Sequence, residues 1–353
     1  RKEKQIYTVP SDGRGASRRL TFDGESNTRP RWSPDSQRLA FVSDRSGSSQ
    51  IWMMDADGSS SSQVTDLSTE ANGVLYSPTG NRLVFTSRVY PECGTDDGCN
   101  ARRIQADEEE TASGEVIDGL LYRHWDTWGD DRRSHIFSLE LGAENATPID
   151  LTPGDTDVPP FSLGGPEGYA ISPDGQELCF ERKSGEDPAR DTNVDLWTTS
   201  IAGGGTQRIT RGNPAADGGP VYSPDGEFIA YRAQERPGYE SDRWRLLLYQ
   251  RSSGRSAALT EALDRWVTGY TWNPDSSRLF FSAEVRGRVP IYTFRATGGP
   301  AQAAVYGNAS HGGVQLMPDG QSMIYIASST SRPAEIYRAF SAGGAPQRLT
   351  HLN

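Results

Sequence analysis

The sequence predicts an all-β fold, a β-propeller built of four-stranded antiparallel blades, and three observations predict it. A hairpin motif recurs six times: WSPDSQRLAFVS from Trp32, YSPTGNRLVFTS from Tyr76, ISPDGQELCFER from Ile171, YSPDGEFIAYRA from Tyr222, WNPDSSRLFFSA from Trp272 and LMPDGQSMIYIA from Leu316. Its spacings of 44, 95, 51, 50 and 44 residues suit a repeated unit the size of a propeller blade, with one gap of double length. The composition agrees: 38 Gly and 22 Pro, with 34% hydrophobic residues, favour many short strands joined by turns over a helical bundle.

The elements follow in chain order. QIYTVPSDGRGASRRLT (Gln5 to Thr21) reads as strand, Gly-rich turn, strand, which is the outer half of a blade. Six motif blades follow it. The reading is a seven-bladed propeller whose first blade is incomplete in this chain; a six-bladed ring with an extra hairpin is the alternative. Within each motif Pro supplies the φ of roughly −65° that a type I turn needs, and Gly suits its last position. The strands that follow the turns are expected at Arg38–Ser43, Arg82–Ser87, Glu177–Glu181, Glu227–Arg232, Arg278–Ser282 and Ser322–Ala327. A second pair of strands comes next in each unit, as in IWMMDADG leading to QVT, DLWTTSIAGGG to QRIT, and IYRAFSAGG to QRLT. The whole chain, 1–353, is thus read as a single propeller domain.

The double-length gap implies an insertion at about 88–134 inside the second motif blade, whose third strand is HIFSLEL (His135 to Leu141). NARRIQADEEE (Asn100 to Glu110) has good helix formers but a thin apolar face, so it reads as a solvated charged helix or loop. Cys93 and Cys99 share a tight Gly- and Asp-rich loop; a local disulfide is preferred over two free thiols and would imply an oxidising compartment. Cys179 falls on a strand and reads as a buried, inert thiol. The insertion ends in LYRHWDTWGDDRRSH, where Tyr122, Arg123, His124, Trp125, Asp126 and Trp128 are the candidate binding residues. Trp125 and Trp128 are expected to bury their rings and anchor the insertion, while Arg123, His124 and Asp126 line a pocket.

Chemistry is harder to find. No G-x-S-x-G elbow, P-loop or dinucleotide fingerprint occurs, so no cofactor is expected and no catalytic residue is assigned. Ser310 and His311 adjoin and read as a turn, not a dyad. His124, Asp126, Ser134 and His135 lie on one loop and strand with no oxyanion-hole motif nearby. Two Cys cannot complete a zinc site, and the Asp126, Asp130 and Asp131 group lacks a recognised cation-loop pattern, so no metal is expected. The net charge of −11 makes nucleic acid and anionic membrane surfaces poor partners, and no apolar run is long enough to span a membrane.

Taken together, the hairpin motifs, the Cys loop inside one blade and DGLLYRHWDTWGDDRRSHIF (Asp118 to Phe137) resemble the propeller of the prolyl oligopeptidase family. The branch is that of dipeptidyl-peptidase V and the acylaminoacyl-peptidase-like bacterial enzymes. The resemblance implies a non-catalytic propeller that gates access of small peptides to a cavity shared with an α/β-hydrolase domain. That domain carries Ser, Asp and His, is expected downstream, and is absent from this chain. The resemblance also implies a periplasmic or secreted serine peptidase; self-association into a homo-oligomer is left open. A second resemblance, of IWMMDADG to repeats of TolB-type periplasmic propellers, implies instead a protein-interaction scaffold without catalysis.

Overall fold

Among the described residues, six four-stranded antiparallel sheets, each running in chain order from first to last strand, account for nearly all of the regular structure. The computed structural model describes residues 3–352 apart from 112, 113, 115, 118, 119, 121, 125, 144, 145, 161–167 and 185–188. The first blade comprises Asn27–Trp32, Arg38–Ser43, Gln50–Asp55 and Ser62–Gln63. The second comprises Asn72–Tyr76, Arg82–Val89, Arg133–Glu140 and Ile149–Asp150. The third comprises Tyr169–Ile171, Glu177–Lys183, Val194–Ser200 and Gln207–Arg208, and the fourth Asp217–Tyr222, Phe228–Ala233, Arg245–Gln250 and Arg255–Ala258. Val267–Trp272, Arg278–Ala283, Ile291–Arg295 and Gln302–Val305 form the fifth; Ser310–Leu316, Ser322–Ser329, Arg332–Phe340 and Gln347–Arg348 form the sixth.

All six expected strands fall, within two residues, on the second strand of successive blades. The described residues form six complete blades, and the N-terminal segment contributes a two-stranded ladder of Tyr7–Thr8 with Arg18–Arg19. One expectation needs correction. Ser310 and His311 open a strand instead of making a turn. The buried His311 ring bonds through Nδ1 to the Val289 carbonyl at 2.8 Å and packs edge-on against Tyr325.

The chain divides into two compact units. Residues up to Ile6 and Arg19–Gly212 hold the first three blades; Tyr7–Arg18 and Asn213–Asn353 hold the last three. In each unit the core lies between neighbouring blades. Ala40, Val42 and Ile51 of the first blade pack with Val74, Leu83 and Phe85 of the second, and Leu246 and Leu248 of the fourth with Leu279 and Phe281 of the fifth. Each fully buried Leu, Ile or Phe contributes about 1.5–3 kcal/mol. Second strands, covered on both sides, therefore read as continuous apolar runs, as in LAFVS of the first blade.

Two local devices recur. At the hairpins, the Asp of Ser-Pro-Asp accepts from the backbone N–H two residues on, at 3.0 Å for Asp35, Asp174 and Asp225. The side-chain bond from Ser33 holds the Asp35 carboxyl below its usual range. At the outer edge, the Thr that ends the last strand reaches back to the start of the third. Its Oγ1 accepts from the N–H of Ile51 (Thr65), Ile136 (Thr152), Leu196 (Thr210), Leu246 (Thr260) and Ile336 (Thr350) at 2.8–2.9 Å. Several of these hydroxyls also donate to the residue before, Thr65 to Gln50 and Thr210 to the buried Asp195. Thr21 makes the same pair of bonds, accepting from Ile6 N–H at 2.9 Å and donating to Gln5 at 2.7 Å.

Candidate functional site

The insertion leaves the second blade after Val89 and returns at Arg133, opposite one another at the end of an eight-pair ladder. A helix at Asp97–Glu109 follows the first turn, with Asp96 as N-cap accepting from Cys99 N–H. Cys93 and Cys99 are joined in a disulfide with Cα atoms 5.5 Å apart, and Cys179 is fully buried on the second strand of the third blade. Inside that loop the buried Asn100 accepts from Tyr90 N–H at 3.0 Å and donates to the carbonyls of Gly94 and Asp96. Tyr90 in turn carries the Arg103 guanidinium 4.9 Å above its ring and hydrogen-bonds Asp107. Burial, then the bond to Asp107, pushes the Tyr90 hydroxyl up to about 12. These contacts tie the helix to the root of the insertion.

Further along, Arg123–His124 pairs antiparallel with Thr127–Trp128, His124 opposite Thr127 and Arg123 opposite Trp128. The hairpin closes with Gly129 N–H donating to the Tyr122 carbonyl at 2.8 Å. Tyr122 and Trp128 rings lie 6.1 Å apart, and the Arg123 guanidinium stands 6.0 Å from the Trp128 ring. Tyr122, Arg123, Asp126 and Trp128 are all exposed; Trp125 lies outside the described residues. Trp128 is 60% exposed, which corrects the expectation that its ring anchors the insertion. The physical reason is length: a hairpin of two residues per strand offers no second layer to cover an indole. Among the described residues, Tyr90, Asn100 and the disulfide tie the insertion to its root, and Tyr122, Arg123 and Trp128 present an aromatic and cationic edge.

At the return of the insertion, the fully buried His135 holds Asp150 Oδ2 through Nδ1 at 2.7 Å and the Gly154 carbonyl through Nε2 at 2.8 Å. Burial pulls its pKa down, but the bond and charge of Asp150, the Gly154 carbonyl and the Asp157 charge outweigh it, so the net shift is upward. Ser134 does not approach His135 as a nucleophile; its hydroxyl donates to the Val158 carbonyl. Among the described residues no group of three or more His, Cys, Asp or Glu side chains gathers to hold a metal ion. No helix among them is long and apolar enough to cross a membrane.

Sequence reasoning missed the clamp made by the terminal threonines, although an apolar residue followed by Thr at the end of unit after unit was its visible signal. It also missed His135, whose partners lie 15 and 19 residues downstream and leave no local pattern.

Comparison with known proteins fits this geometry. The profile of the TolB beta propeller domain matches residues 1–110. Dipeptidyl-peptidase 5 of Porphyromonas gingivalis is 29% identical over 99% of this chain and 50% of its own length. This β-propeller chain is similar to the dipeptidyl-peptidase 5 proteins along nearly its whole length. It spans about half the length of the curated relatives it matches. The acylaminoacyl peptidase of Pyrococcus horikoshii shares the fold with a TM-score of 0.69 at 17% identity, over 96% of this chain and 47% of its own. A TolB of Agrobacterium tumefaciens shares it at a TM-score of 0.53 and 15% identity, over 84% of each chain.

Proposed function

We propose that this chain is the non-catalytic propeller of a serine exopeptidase of the dipeptidyl- or acylaminoacyl-peptidase type. It gates the entry of small peptides and lines the substrate cavity, while an α/β-hydrolase domain of the same protein performs the hydrolysis. The observation that carries the reading is the match to dipeptidyl-peptidase 5 along 99% of the chain but only 50% of the relative. The exposed edge of Tyr122, Arg123 and Trp128, with Asp126 at the hairpin turn, supplies rings for apolar side chains and charges of both signs for peptide termini. Asp126 is assigned to the substrate's free amino group.

The bonds of Thr21 and Gln5, alike those of complete blades, support reading 5–21 as the outer half of a seventh blade. A periplasmic or secreted location is supported by the Cys93–Cys99 disulfide and by the TolB domain match.

The test uses the full-length parent protein. Asp126→Asn should lower kcat/KM for free-amino dipeptidyl substrates more than for N-blocked ones, with Tm nearly unchanged. An equal loss on both, or a collapse of Tm, makes the hairpin a brace. A serine-reactive phosphonate should label the parent and leave this chain unlabelled. The second reading, a TolB-type interaction scaffold, is favoured by the domain match over 1–110 and stands if the parent takes no label.

A further inference from the structure

The second compact unit carries a cleft of about 650 Å³ that has no part in the reading above. Three loops build it: the one ahead of Arg245–Gln250, the one ahead of Val267–Trp272, and the hairpin between Arg278–Ala283 and Ile291–Arg295. Arg243 braces them, its guanidinium donating to the Leu263 carbonyl at 2.9 Å and pairing with Glu261 at 3.5 Å, and Glu284 N–H reaches the Trp266 carbonyl at 3.4 Å. Arg265, Trp266 and Arg286 line the cleft together with Asp264 and Glu284. The cleft is open and mostly polar, with Asp264, Trp266, Glu284 and Arg286 all exposed to solvent.

The hairpin tip holds an anomaly. Val285 and Arg288 exchange backbone bonds at 2.8 and 3.0 Å around Arg286 and Gly287, whose φ values are +48° and +74°. A two-residue turn with positive φ at both centres is normally filled by Asn-Gly, Asp-Gly or Gly-Gly, because a longer side chain is strained there. Arg286 occupies that position against the backbone preference. It is exposed, and among the described residues its guanidinium makes no hydrogen bond or ion pair. Arg265 uses one N–H on the Asp264 carbonyl and has further donors to offer. The lining thus has cationic groups beside a 37% exposed indole, with two carboxylates near them, in a chain of net charge −11.

We infer that this cleft binds short zwitterionic peptides with both termini free. Arg286 and Arg265 take the terminal carboxylate, Trp266 takes an apolar side chain, and Asp264 and Glu284 take the ammonium group. The two carboxylates also disfavour a simple multivalent anion, so the site differs from a general anion patch. Nothing here depends on a hydrolase domain, so the inference stands or falls separately from the proposed function.

The test is calorimetric titration of this chain with Ala-Leu, its C-terminal amide, its N-acetyl form and inorganic phosphate. Saturable binding of Ala-Leu is expected, with a loss of about tenfold, equal to about 1.4 kcal/mol, on amidation. Arg286→Gly should cause a loss of the same size while keeping the turn, since Gly suits its φ. Arg265→Ala, away from the turn, should weaken binding similarly with an unchanged melting curve. Glu284→Gln should weaken Ala-Leu but not the N-acetyl form. Absence of saturable binding, unaltered affinity in Arg286→Gly, or phosphate binding as tightly as Ala-Leu would overturn the inference.

Discussion

The buried His135 makes the stability of the first compact unit depend on pH in a direction that can be worked out. Both ring nitrogens face oxygens that only accept, Asp150 Oδ2 at 2.7 Å and the Gly154 carbonyl at 2.8 Å, so both bonds exist only while the ring is an imidazolium. Its pKa in the fold lies above the ordinary 6.5. The stabilisation is therefore complete below about pH 6.5 and is lost as pH rises through the folded value. The perturbation is Asp150→Asn, which keeps an acceptor oxygen and removes the charge. A hydrogen bond to a charged group contributes about 1.5–3 kcal/mol. For a unit of about 200 residues, a loss of about 2 kcal/mol lowers Tm by about 4–8 °C. The assay is thermal unfolding followed by Trp fluorescence at pH 6 and at pH 9.5, wild type against Asp150→Asn. The deficit of the variant should be full at pH 6 and should shrink at the higher pH. A deficit of the same size at both values would mean a neutral ring throughout and would refute the reasoning.

Three further outcomes follow from the local geometry. Thr210→Val leaves the Leu196 N–H and the buried Asp195 each short of a partner and should cost about 1–3 kcal/mol in denaturant unfolding; an unchanged midpoint would mean the clamp is idle. Ser36 sits at φ +59° in the first hairpin, where the hairpins of the second and third blades have Gly, so Ser36→Gly should stabilise by about 1 kcal/mol, read as a raised Tm. Replacing Cys93 and Cys99 by Ser should cost about 2 kcal/mol of local stability in the chain-entropy picture, seen as faster proteolysis of the Asp97–Glu109 helix with blade unfolding unaltered.

The blades were legible because a turn with a physical mechanism marks each one. Pro and Asp fix where the chain reverses, and the apolar run after them identifies the second strand; the same spacing located the insertion and a third strand from His135 to Leu141, found at Arg133–Glu140. The site was legible only as a composition. Tyr122, Arg123 and Trp128 in sequence announce rings and charge, but how far Trp128 is covered depends on what packs against it, and among the described residues its neighbours leave it 60% exposed. His135 was visible as the start of a strand, while its role rests on Asp150 and Gly154, which only the folded blade brings near. The strain at Arg286 was concealed because Arg-Gly becomes unusual only once the turn type is known.

The eight-pair ladder between Arg82–Val89 and Arg133–Glu140 has an evolutionary consequence. A long excursion is costly chiefly through the entropy of closing it, and that grows slowly: going from a six-residue connection to one the length of 90–132 adds only about 2 kcal/mol. Ladder bonds on both sides of the exit hold the two ends at their proper spacing whatever lies between them. The second blade can thus serve as a port, where foreign sequence is gained, exchanged or trimmed without disturbing the strands that host it.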